Sequence, residues 1–117
     1  MGVMKRRPWN DPRWVAPKRA RRGDRPRSVK LMPEYQCVLP LWPVNWWELS
    51  LSPSLLDDLA DWQQAFDDGF YETKGWKSVE AAAAWEADAG LLIDRLRNEL
   101  GGRFELDIDL WPLEPAT

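Results

Sequence analysis

Arg103-Phe104-Glu105-Leu106-Asp107-Ile108-Asp109-Leu110-Trp111 alternates without a break. Phe104, Leu106, Ile108 and Leu110 fall on one side of an extended chain. Arg103, Glu105, Asp107 and Asp109 fall on the other, which is the pattern of a strand with one buried and one wet, acidic face. Such a strand needs a cover for its apolar side, and the residues before it supply one.

Ser78 is a helix N-cap, and the helix it opens runs from Val79 to about Leu100, ending at Gly101-Gly102. Ala81, Ala82, Trp85, Ala89, Leu92, Ile93, Leu96 and Leu100 line one face of it. Ser52-Pro53 opens an earlier helix that runs to about Asp68. Leu55, Leu59, Trp62, Phe66 and Phe70 form its stripe, and Asp57, Asp61 and Asp68 lie on the opposite side. Between the helices Gly75 serves a turn. Further back, Tyr35-Gln36-Cys37-Val38-Leu39-Pro40-Leu41-Trp42 is rich in strand formers, with Pro40 confining it to an edge. The expected fold is therefore α+β. A basic N-terminal arm precedes β-α-α-β, with the helical hairpin packed on a small antiparallel sheet. Two strands alone are marginal. A third from the arm, from residues 45–51 or from a second copy completes the sheet, which leaves a homodimer open.

Charge divides the chain more sharply than its net value of −3 suggests. Residues 1–30 hold eleven Lys/Arg against Asp11 and Asp24, a net of +9; residues 31–117 hold five against seventeen Asp/Glu, a net of −12. The expected division is a basic Pro/Arg-rich arm, 1–30, and an acidic body, 31–117. Pro8, Pro12, Pro17 and Pro26 deny the arm a helix. No apolar core follows the basic start and no stretch is long enough to cross a bilayer, so the cytoplasm is the expected compartment. Met32 also stands where the body begins, as an alternative gene start would.

The composition excludes much chemistry. Histidine is absent, which removes the commonest general base and metal ligand. Cys37 is the only cysteine and sits in an apolar stretch, as a packed thiol would. The paired carboxylates Asp57/Asp61 and Asp107/Asp109 lack the loop of a cation site. No catalytic residue, metal or cofactor is expected, and the chain is read as a binder.

Two surfaces remain. The acidic body suits a basic protein partner, with Trp46, Trp47 and Glu48 in a loop and Asp57, Asp61 and Asp68 along the first helix as contact residues. The alternative for Trp46-Trp47 is a lid on the end of the sheet. In the arm, Lys18, Arg19, Arg21, Arg22, Arg25 and Arg27 have the footprint of a nucleic-acid binder, with Trp9 and Trp14 able to stack on unpaired bases. Against this stand a solubilising tail and an arm that folds back on its own acidic body. Nine tryptophans, at 9, 14, 42, 46, 47, 62, 76, 85 and 111, serve core and surface alike.

Tyr35-x-Cys37, Pro40-Leu41-Trp42, Leu51-Ser52-Pro53-x-Leu55, Trp62 and Glu99-Leu100-Gly101 together resemble a group of small actinobacterial proteins of unknown function. The resemblance spans about residues 31–111, leaves out the arm, and implies no activity and no catalytic residues. The expected function is a non-enzymatic protein-binding module, of the antidote or immunity kind that blocks a basic toxin or nuclease. A nucleic-acid-associated protein is the alternative.

Overall fold

The computed structural model describes residues 7–15 and 28–113. Its strands are β1 (Ser28–Leu31), β2 (Leu41–Trp42), β3 (Phe70–Tyr71), β4 (Gly75–Trp76) and β5 (Glu105–Ile108), and its helices are α1 (Pro53–Gly69) and α2 (Val79–Leu100). The fold class is the expected α+β, with the helical hairpin between strands and laid against a small sheet.

The sheet has the order β2-β1-β5. Its central strand comes from the junction of arm and body. Val29 and Leu31 point into the core, fully buried, while Lys30 points out. β2 joins β1 antiparallel, with Leu31 opposite Leu41. β5 joins it parallel, with Val29 opposite Leu106 and Leu31 opposite Ile108. The sheet is thus mixed rather than purely antiparallel. A parallel pair needs a long crossover, which the α1–α2 hairpin provides. On the wet face Lys30 Nζ stands 3.9 Å from Asp107.

The strand expected over 35–42 is reduced to its last two residues. Met32 N–H donates to the Pro40 carbonyl at 2.9 Å, and the residues between loop out, with Gln36 at φ 59°. Side chains of α1 satisfy this loop in place of a strand. Gln63, 1% exposed, donates to the Glu34 carbonyl at 2.6 Å and accepts from Glu34 N–H at 3.3 Å. Asp67 accepts from Gln36 N–H at 2.9 Å. The Cys37 thiol is half-buried and donates to the Leu39 carbonyl.

The helices begin where their caps require. Ser52 Oγ accepts from Leu55 N–H at 3.3 Å, and Ser78 Oγ from Ala81 N–H at 3.0 Å. Between them Gly75, at φ 75°, turns the β3–β4 hairpin. Leu55, Leu59, Trp62 and Phe66 of α1 meet Trp85, Ala89, Leu92, Leu96 and Leu100 of α2 in one core with Val29 and Leu31. Phe70 and Ile93 are only half-buried at its edge.

Candidate protein-binding face

The outward side of α1 carries Asp57, Asp58 and Asp61, all within its first two and a half turns. On α2, Asp88, Leu91 and Arg95 come up beside them. Asp58, Asp61, Asp88, Leu91 and Arg95, with Trp62, Ala65 and Leu92, line a groove of about 280 Å³ between the two helices. Trp62 forms its floor and cannot turn away, since its ring is stacked on Trp85. Arg95 crosses from α2 to pair with Asp58 and donates to Ser54 Oγ. Leu91 is 66% exposed, an apolar side chain left at the edge of a charged groove.

One edge of this face is already occupied. Residues 7–15 lie against the start of α1 through a 3-10 turn at Pro8–Asn10. Arg7 forks onto two carboxylates one helical turn apart: Nη2 donates to Asp61 Oδ1 at 2.6 Å, and Nη1 to Asp57 Oδ1 at 3.3 Å. The same Asp57 oxygen accepts from Trp9 Nε1 at 2.9 Å and Asn10 Nδ2 at 2.8 Å. These donors, the Trp9 indole N–H foremost, hold the Asp57 carboxyl below the usual carboxylate range. The hydrogen bond to Asp61 foremost raises the Arg7 guanidinium above its ordinary value.

The same segment covers the tryptophan loop. Trp46 and Trp47 sit edge to face at 5.6 Å in a 3-10 turn with Glu48, and all three are half-buried. Trp14 lies over both, its centroid 4.5 Å from Trp46 and 5.6 Å from Trp47. Trp9 meets Trp46 edge-on at 5.6 Å. The Trp46 and Trp47 indoles are thus half-buried and roofed by Trp9 and Trp14 of their own chain.

The expected contact residues thus divide. Trp46, Trp47, Asp57 and Asp61 come together at one corner, with Glu48 in the same turn. Asp68 lies eleven residues beyond Asp57, about 16 Å along the helix, and accepts a hydrogen bond from Gln64 at 2.9 Å. Trp9 and Trp14, expected to meet bases, face the protein's own carboxylate and indoles. Arg13 pairs with Asp11 at 3.4 Å inside the segment. Lys18, Arg19, Arg21, Arg22, Arg25 and Arg27 lie outside the described residues. Arg7, Asp58, Asp88, Leu91 and Arg95 were not singled out from the sequence. Leu91 carried a signal, being apolar on the polar side of α2, whereas the pairing of Asp58 with Arg95 had none.

Among the described residues no group of three or more His, Cys, Asp or Glu is placed to hold a metal ion, and no helix is long and apolar enough to cross a membrane. What the fold offers is a small α+β body with a charged, grooved two-helix face and an aromatic corner. The chain belongs to the Serratia CdiI immunity protein-like family, whose model matches residues 27–108. The match runs from the residue before β1 to the last residue of β5, so it takes in the whole sheet and hairpin and leaves residues 1–26 of the arm outside. A search of curated proteins gave no match.

Proposed function

We propose that this chain is an immunity protein, a non-enzymatic binder that holds a cognate toxin and blocks it inside the cell that makes both. The family match over the complete β1–β5 unit carries this reading. The outer face of the helical hairpin is the docking surface. Its rim carries Asp58, Asp61 and Asp88, and Leu91 gives an apolar contact at the edge. The residues from 31 onward have a net charge of −12, which attracts a basic partner and orients it before contact.

The test is to mix the purified chain with a candidate toxin from the same genome. A one-to-one complex on size exclusion, and survival of cells that express both proteins, is the expected result. A toxin that neither forms a complex nor loses its toxicity overturns the reading.

A further inference from the structure

We infer that the corner formed by Trp46, Trp47, Asp57 and Asp61 is a recognition site for a toxin segment that carries an arginine beside an aromatic residue, and that residues 7–14 occupy it as an internal stand-in. The inference rests on the immunity reading for the identity of the partner. The chemistry of the corner itself is shown by what already sits there.

Two carboxylates one turn apart match the fork of a guanidinium, and Arg7 makes that contact. The Trp9 indole N–H adds to the donors on Asp57, and the rings of Trp9 and Trp14 pack on Trp46. The hold is a displaceable one. Asp61 is 64% exposed at the ion pair and Arg7 34%, so solvent screens the attraction. None of the residues in the 3-10 turn at Pro8–Asn10 is fully buried, and no strand ladder ties the segment down.

Two further observations separate the seat from its occupant. All four seat residues lie inside the part of the chain that the family model matches, whereas Arg7, Trp9 and Trp14 lie outside it. The seat is also continuous with the α1–α2 groove, because Asp61 lines the groove and receives Arg7. A basic partner docked on the groove meets the edge of the segment at that residue. One that offers its own arginine and aromatic ring replaces the segment without leaving Asp57 or Trp46 bare.

The experiment uses the full chain and a fluorescent peptide with the sequence of residues 7–15. The Arg7→Ala/Trp9→Ala/Trp14→Ala chain lacks the ion pair of the segment and both of its ring contacts, which opens the seat. The peptide is expected to bind this variant at least ten-fold more tightly than the wild type, more weakly as salt rises, and not at all once Asp57→Asn and Asp61→Asn are added. Circular dichroism checks that each variant is folded. Equal binding to wild type and opened chain, or binding that survives loss of both carboxylates, overturns the site. Toxin added to the peptide-loaded chain is expected to release the peptide; a complex that retains it overturns the toxin as occupant. A toxin that forms no complex sinks the immunity reading and the occupant with it, whereas peptide binding reports on the seat alone.

Discussion

Trp62 and Trp85 stack face to face across the helical hairpin, centroids 4.1 Å apart and planes 8° from parallel, and each donates its indole N–H to the other's backbone carbonyl. The two bonds, at 2.9 and 3.0 Å, are reciprocal, so neither ring can rotate without stranding a buried donor and a buried acceptor. The pair fixes how α1 lies on α2, and with it the floor of the groove.

Trp85→Ala is therefore expected to destabilise the fold by about 3–5 kcal/mol, the cost of emptying a large buried site. Trp85→Phe keeps most of the packing but removes the donor to Trp62, and is expected to cost about 1–3 kcal/mol. Urea unfolding of the two variants against wild type separates packing from hydrogen bonding. A Trp85→Phe chain as stable as wild type would mean that the reciprocal bonds contribute nothing, and equal losses in the two variants would mean that the packing does not.

A second fastening ties the two ends of the hairpin. Glu99, in the last turn of α2, accepts from Ser52 N–H at 2.6 Å and from Ser52 Oγ at 2.8 Å, while Ser52 Oγ accepts from Leu55 N–H. One side chain thus supports the cap of the other helix. Glu99→Ala is expected to cost about 1–2 kcal/mol, the range for losing a cap together with a hydrogen bond. Glu99→Gln, which keeps one acceptor oxygen, loses less. Thermal unfolding of the two variants gives the order.

The elements that were legible are those whose cause is local. The alternation from Arg103 to Trp111 contains β5 and names its half-buried, inward side chains, and Ser52-Pro53 and Ser78 fix both helix starts. A third strand from the arm was one of three expected ways to complete the sheet, but β1 could not be placed, because four residues with two inward positions, Val29 and Leu31, give too short a period at the end of a basic run. The strand expected over 35–42 failed for a long-range reason. Gln63 and Asp67, about thirty residues later, serve the backbone of Glu34 and Gln36 instead of a neighbouring strand. The candidate face shows the same limit. Opposite charge on arm and body was plain from composition, but the placing of Arg7 on Asp57 and Asp61 depends on where the chain turns back.

The acidic rim should act mainly on the speed of capture. Asp88 is exposed on α2, so Asp88→Lys is expected to leave the fold within about 0.5 kcal/mol of wild type. It reverses a charge on the groove, and the association rate with the toxin is expected to fall several-fold at low salt, with a smaller change in dissociation. Raising the ionic strength should close the gap between variant and wild type. Stopped-flow association at two salt concentrations checks both. An unchanged rate places the toxin elsewhere on the surface.

Acid should release the N-terminal segment. Trp9, Asn10 and Arg7 hold the Asp57 carboxyl below its ordinary value, so the docked form binds fewer protons than the released form. Docking is then fully supported above the usual carboxylate pKa of about 4. It weakens only as pH falls below that value and through the depressed one. The apolar core, with Leu55, Phe66, Leu96 and Leu100 at 1% exposure or less, contains no titrating group of its own and should outlast the segment. The Trp9 indole N–H resonance is expected to keep its docked position down to about pH 4 and to move toward its free position below it. Asp57→Asn retains an acceptor oxygen but cannot titrate, so the displacement of that resonance in acid should be absent or much smaller. A transition in the wild type that begins well above pH 5, or one unaltered in the variant, would assign the release to another group.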